Sequence, residues 1–406
     1  MKKIVILMSV LILSLAVISA APAADIRVGT LMAQTGPLKE YGPPIKDGAV
    51  LAGKQLAAAG FEIEWFHEDS ETNPAPATNA AKKLVDVNKV VAIVGALSSG
   101  VTLAVAESVT IPNEVILISP ASTNPLMTVL PADEGKDWLF RTCPSDALQG
   151  VVAAKLAASY NKTVSILYVN NAYGQGLAEV FKENFEGKYG GKVLAMVPHD
   201  NKEAESYTAE LKKALADNPD RLLAYSYPQH AKVYLKEAIE FYKYGRFMFC
   251  DGTKSEDILT AIGAQRLEGQ KGTAPGTPGG EAFRRFNEYY KAEFGRLPPK
   301  PFITNAYDGA VVIGLAAYAA KVKGLPLTAK NIRDNMRRVA NPPGDLIYPG
   351  EGQFKKAFDL LKKGKDINYQ GAAGSVDFDK HGDVVTPIEV WEFSGGTLKT
   401  VELMEP

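Results

Sequence analysis

Short apolar runs and stretches with helical spacing alternate along most of the chain, and that order leaves few folds open. "IRVGTLMA" reads as a strand starting at Ile26. "PPIKDGAVLAGKQLAAAG" follows as a helix, with Ile45, Ala49, Ala52 and Leu56 on one face and Gly60 at its end. The strand "FEIEWFHED", the helix "PAPATNAAKKLVDVN", the strand "VVAIVGA", the helix "VTLAVAESV" and the strand "VILISPA" continue the series. After Cys143 the rhythm restarts. "ALQGVVAAKLAASY" is helical and "TVSILYV" extended. "GQGLAEVFKENFEGKYG" is a helix with Leu177, Phe181, Asn184 and Phe185 along one side. The strand "RLLAYSY", a helix carrying Leu235, Ala238, Ile239 and Tyr242, and the strand "RFMFCDG" close the second series. Strands that alternate with helices imply parallel sheets covered on both faces. The predicted fold class is therefore α/β, with two similar lobes built on parallel-sheet cores. The Gly/Pro-rich "GTAPGTPGGEAF" at 272–283 reads as a hinge or connection. Beyond it come further helices, with Phe283, Phe286, Tyr290 and Phe294 at helical spacing, and then an antiparallel-looking end, "GSVDFDKHGDVVTPIEVWEF".

The first residues obey a different rule. "MKK" is a basic start, "IVILMSVLILSLAVI" an apolar core and "SAAPAAD" a small-residue tail with an A-x-A site at Ala21–Ala23. Residues 1–23 read as a secretory signal peptide, which places the mature protein in the periplasm. The apolar run is short for the ~20 residues of a membrane span. Of 406 residues, 46% are hydrophobic and 22% charged, with a formal net charge of −1. That balance supplies no basic stripe for a polyanion, so no nucleic-acid partner is expected. The two cysteines, Cys143 and Cys250, leave a disulfide open in an exported chain. Neither has metal-ligand spacing around it, and no metal or cofactor is expected.

In open parallel sheets ligands sit beyond the carboxyl ends of the strands, so the strand-to-helix turns carry the functional reading. Four stand out: "GALSSG" (95–100), "SPASTNP" (119–125), "NNAYGQG" (170–176) and "CDGTKS" (250–255). The first two offer hydroxyls, among them Ser98, Ser99, Ser122 and Thr123, and backbone N–H groups suited to a carboxylate. The last offers Asp251, which suits an ammonium group. Together they describe a clamp for a zwitterion, and an α-amino acid fits. Read singly, each hydroxyl is a helix cap first, and Asp251 equally caps its own helix. Tyr41, Tyr173 and Tyr227 supply candidate walls, with burial in the core as the plainer alternative. Nucleophilic catalysis fares worse. Gly95 stands three residues before Ser98, so no Gly-x-Ser-x-Gly elbow exists, and none of the four histidines shares a strand-end turn with a serine and an acid. "GQG" at 174–176 is half a dinucleotide fingerprint, and a phosphate loop is absent. No catalytic residues and no enzyme are expected.

"TGPLKEYG", "HEDSETNPAPATNAAKKLV", "AIVGALSSG", "ISPASTNP", "FRTCPSDALQG", "NAYGQG", "NAYDGA" and "FDKHGD" stand in an order that resembles the substrate-binding proteins of branched-chain amino acid ABC transporters, the type I leucine/isoleucine/valine-binding family. The resemblance spans essentially the whole mature chain. It implies two Rossmann-like lobes joined by three hinge crossovers, lobe 1 taking 24–142 plus 275–385 and lobe 2 taking 143–274 plus 386–406. It implies a small amino acid captured between closing lobes and passed to a membrane permease and its ATPase, by a monomer. A periplasmic sensor, or a binder of an amide, urea-like or aromatic acid ligand, is the alternative. The family's carboxylate-binding positions fall on Ser98, Ser99, Ala121 and Thr123, its lobe-two tyrosine on Tyr173, its ammonium-binding acid on Asp251 and a cleft tyrosine on Tyr41. The chain departs from the family at "YSYPQHA" (225–231), which makes Ser226 and Tyr227 pocket candidates.

Overall fold

The computed structural model describes residues 24–405. The expected leader, 1–23, lies outside them. Among the described residues no helix is long and apolar enough to cross a membrane.

The first sheet contains β1 (Ile26–Met32), β2 (Ile63–Asp69), β3 (Ala92–Gly95), β4 (Ile116–Ser119) and β5 (Leu139–Arg141), in the order β2-β1-β3-β4-β5, and every neighbouring pair is parallel. The second begins with β6 (Thr163–Val169), β7 (Lys192–His199), β8 (Arg221–Tyr225), β9 (Phe247–Phe249) and β10 (Lys271–Pro275), in the parallel order β7-β6-β8-β9-β10. The two series thus repeat one winding, in which the second strand lies outside the first and the third, fourth and fifth run the other way. The chain then returns to the first lobe, where it forms a small sheet of β11 (Asp345–Ile347), β12 (Ile367–Gly371) and β13 (Gly374–Ser375). It finishes in the second lobe, with β14 (Ile388–Ser394) antiparallel to β10 and β15 (Thr397–Met404) antiparallel to β14.

Local chemistry explains several helix ends. Gly60 closes the helix Gly42–Ala59 at φ 103°, a conformation that costs glycine no Cβ clash. Asn171 caps the helix Ala172–Gly187 by accepting the Gly174 N–H, and Leu177, Phe181 and Phe185 are buried along its inner face. In the helix Gly280–Phe294, Phe286 and Tyr290 are the deeply buried members of the aromatic stripe. The helix Ile303–Val322 is buried on every side from Ile303 to Ala320 and forms the spine of the first lobe. It lies so close to the helix Gly42–Ala59 that a Cβ on Gly48 would stand 2.3 Å from the Ile303 carbonyl oxygen.

The chain departs from expectation at 272–283. Residues 272–275 belong to β10, and the irregular connection is confined to 276–279. The partner that makes β10 a strand, β14, lies more than a hundred residues onward, so local Gly/Pro content cannot disclose it. Strands β5 and β7 also escape the alternation. Cys143 and Cys250 are both buried free thiols.

Candidate functional site

The carboxyl ends of β1, β3 and β4 in one lobe face those of β6, β8 and β9 in the other, as the winding requires of a ligand crevice. Between them is a cavity of about 20 Å³ lined by Leu38, Tyr41, Ile45, Leu97, Ala121 and Phe302 from the first lobe and by Tyr173, Tyr227, Asp251 and Gly252 from the second. That is room for little more than a water molecule. The two lobes are shut against each other here.

Ser98 is the residue before the helix Ser99–Val105, yet its side chain makes no cap. Its Oγ lies 3.0 Å from the Tyr227 hydroxyl across the crevice. Tyr227 also accepts from Asn171 Nδ2 at 3.1 Å, so its own proton is free to reach Ser98. Ser99 Oγ accepts the Asn124 N–H at 3.2 Å and ties the two first-lobe turns together. The turn 121–124 is shaped by Arg141, which is fully buried. Its Nη1 donates to the carbonyls of Ser122, Thr123 and Asn124 at 3.5, 3.0 and 3.1 Å. Its Nε and Nη2 grip both Asp383 oxygens at 2.7 and 2.6 Å. In a trans peptide the carbonyl and the next N–H point in opposite directions. Drawing the Ser122 carbonyl toward Arg141 therefore turns the Thr123 N–H the other way. That amide takes no acceptor among the described residues, and neither do the Ser99 and Gly100 amides that open the helix Ser99–Val105. Ala121 lines the cavity, whereas Ser122 points inward, with its Oγ 2.7 Å from Thr102 Oγ1. Thr123 Oγ1 donates to Asp146 Oδ2 at 2.8 Å.

On the second lobe, Tyr173 donates to Asp251 Oδ1 at 2.8 Å, and Gln149 Nε2 donates to the same oxygen at 2.8 Å. Tyr173 and Tyr227 stack at 5.6 Å with planes 9° apart. Glycine is required at 252, where a Cβ would meet the Ser226 carbonyl at 2.5 Å and the Tyr173 hydroxyl at 2.8 Å. Burial raises the Asp251 carboxyl above its usual range, against the opposing pull of Tyr173 and Gln149. Burial, and then the charge on Asp251, push Asp146 well above its own. Asp251 has two donors on one oxygen. Asp146 has only Thr123, and its Oδ1 is bare. The donors thus favour the charged form of Asp251 more than that of Asp146.

Tyr41 bridges the lobes, donating to the Lys254 carbonyl at 3.0 Å. Around the rim, Ser255 and Lys300 both donate to Glu40 Oε2 at 2.7 Å, and Asn201 donates to the Thr72 carbonyl at 3.1 Å. Ser226 does not reach the cavity. Its Oγ lies 2.7 Å from His199 Nε2 and 3.3 Å from His230 Nδ1, behind Tyr227. Burial draws His199 down to about 4; burial, followed by the like charge of His199, draws His230 down to about 3. Both are neutral in the folded protein. The unfolded chain takes up protons below about pH 6.5 and the folded one does not, so stability present above that pH is lost as pH falls toward 4. Urea unfolding across this range should show a loss of about 3 kcal/mol from His199 alone, and His199→Gln should flatten the profile. Equal pH slopes in variant and parent would contradict this.

Asp146, Gln149, Arg141, Leu38 and Phe302 were not anticipated as parts of this site. Arg141 and Asp146 stand in the quoted "FRTCPSD", but nothing in that string reveals that one clamps the neighbouring turn and the other backs Asp251.

A two-lobed α/β molecule with donors on one side of a closed crevice and a carboxylate on the other is the architecture of a solute-binding protein. The family model described as "Periplasmic binding protein" matches residues 25–357, and the chain belongs to that family; its relatives are binding proteins, not enzymes. It is 26% identical over 390 residues to the chemotactic signal transduction system substrate-binding protein BasB of Halobacterium salinarum, covering 94% of this chain and 90% of the relative. Its fold matches the leucine binding protein LivK of Thermotoga maritima with a TM-score of 0.77 at 23% identity, covering 94% of this chain and 99% of that one. It also matches a solute binding protein of an R. palustris ABC transporter in complex with benzoate, with a TM-score of 0.76 at 17% identity, covering 94% and 96%.

Proposed function

We propose that the protein captures a small amino acid of the branched-chain or aliphatic type outside the cytoplasm and delivers it to the membrane permease and ATPase of an ABC importer. The observation that carries this reading is the Asp251 carboxyl, braced by Tyr173 and Gln149, opposite first-lobe turns that leave the Ser99, Gly100 and Thr123 amides unpaired. Asp251 takes the ammonium group. Ser98, Ser99 and the Thr123 amide take the carboxylate, with Ala121 beneath it. Leu38, Ile45, Leu97 and Phe302 receive the aliphatic side chain, and Tyr41, Tyr173 and Tyr227 close over it. Ser122 and Ser226 act from behind, by holding the turn and the Tyr227 segment. The two moving bodies are 24–142 with 275–385 and 143–274 with 386–406. Closure brings the second set of contacts onto a ligand held by the first and excludes water, which strengthens both charge interactions.

The aromatic walls favour a second reading, an aromatic acid, as in the R. palustris neighbour. The Halobacterium relative favours a third, a sensor reporting its ligand to a signalling partner. A thermal-shift screen of amino acids against benzoate, hydroxybenzoates and small amides separates the ligands. Ligand at a hundred times its Kd stabilises by about 2.7 kcal/mol. Leucine, isoleucine or valine should raise Tm and benzoate should not; the reverse result assigns the aromatic acid. Pull-down on the loaded protein, recovering either a permease or a receptor, separates transport from sensing.

A further inference from the structure

At the opposite end of the second sheet from the crevice, the amino ends of β8 and β10 and the carboxyl end of the helix Asp146–Ala158 surround an open pocket of about 260 Å³. Its apolar part is Leu156, Ala157 and Met248, with Tyr160 at its mouth. Its polar part is Arg221 and Lys271.

Neither cation has a carboxylate partner among the described residues. Arg221 Nε donates to Asn161 Oδ1 at 3.1 Å and Nη1 to the Phe247 carbonyl at 3.0 Å, leaving Nη2 without an acceptor. Lys271 reaches only the Tyr160 hydroxyl, at 3.4 Å, with its ammonium 5.4 Å from that ring's centroid. Glu392 stands opposite Lys271 across the ladder but forms no ion pair with it. Asp220, next in sequence to Arg221, spends one carboxylate oxygen on the amides of Lys162 and Thr163 at 2.8 and 2.9 Å. A third cation, Arg246, is bound to neutral oxygens of Asn218, Pro219 and Asp220. A half-buried guanidinium held by neutral acceptors alone is short of compensating charge. Its desolvation shows in a depressed pKa.

We propose that this pocket is a second ligand site, selective for a small organic anion with a short apolar body, such as a branched aliphatic monocarboxylate. The carboxylate lies between Arg221 Nη2 and the Lys271 ammonium, and the alkyl group rests on Leu156, Ala157 and Met248. The site asks for no ammonium, which sets its chemistry apart from that of the crevice. It lies at the other end of the parallel strands, so both can be filled together.

Met248 reports directly on the pocket. The mature protein with ¹³C-methyl methionine is titrated with 3-methylbutanoate and, separately, with its uncharged amide. The Met248 signal is assigned by Met248→Leu. The acid should move that signal saturably and the amide should not. Half-saturation should rise about tenfold or more in Arg221→Gln and in Lys271→Gln, the scale of a lost charged hydrogen bond. The Lys271 side chain reaches only the exposed Tyr160, by a long hydrogen bond, so its variant disturbs the fold little. The proposal is overturned by a Met248 signal that the acid leaves unmoved, by one that the amide moves equally, or by a half-saturation in Lys271→Gln within twofold of the parent. Acid held in the crevice instead would keep its half-saturation in Lys271→Gln, so failure here is distinct from failure of the amino-acid reading.

Discussion

Arg141→Met is expected to lower folding stability by about 3–5 kcal/mol and to remove measurable ligand binding. The stability loss follows from burial. Removing one partner of a buried ion pair leaves the other uncompensated. Arg141 is wholly buried, and Asp383 is 14% exposed on its side chain. The same guanidinium also satisfies the Ser122, Thr123 and Asn124 carbonyls and the Thr128 hydroxyl. The binding loss follows from geometry, because the Ser122 carbonyl's bond to Arg141 fixes the orientation of the unpaired Thr123 amide. The two effects separate in a double variant. Arg141→Met with Asp383→Asn should regain part of the stability in urea unfolding, since the stranded charge is gone, but none of the affinity by calorimetry. Recovery of both would show that Arg141 acts on the fold alone.

Asp251→Asn is expected to behave in the opposite manner. It should weaken amino-acid binding tenfold or more, on the 1.5–3 kcal/mol scale of a hydrogen bond to a charged group. It should leave urea stability unchanged or higher, because it removes a carboxylate that burial already disfavours in its charged form and that pushes Asp146 upward. Unaltered affinity would take the ammonium away from Asp251. A loss of stability equal to that of Arg141→Met would make Asp251 a structural residue.

Much of this architecture is written locally. The alternation around Ile26, Ile63, Ala92 and Ile116 gives the first sheet, because parallel strands covered on both faces need continuous apolar runs. Gly60 and Asn171 mark helix ends through their own backbone and side-chain chemistry. The turns holding Ser98, Ala121, Tyr173, Tyr227 and Asp251 are legible because a doubly wound sheet points its strand ends at the ligand. Direction within a turn is not legible. Ser226 and Tyr227 are neighbours, yet one faces two histidines and the other faces the crevice. Nor are long-range partners. Arg141 meets Asp383 across 242 residues, and Phe302 reaches the cavity from a Pro-rich loop with no periodicity to announce it. Gln149 sits on an Ala-rich helix face and looks like packing until Asp251 is placed against it.

In the proposed function one small zwitterion is held by opposite charges from two facing lobes. A crystal structure of the mature protein grown with saturating leucine tests it most directly. Density is expected between the lobes, with the ammonium within hydrogen-bond distance of Asp251 and the carboxylate within reach of Ser98, Ser99 and the Thr123 amide. A ligand lying outside the crevice, or inside it with its carboxylate toward Asp251, would rule out the two-lobed zwitterion clamp.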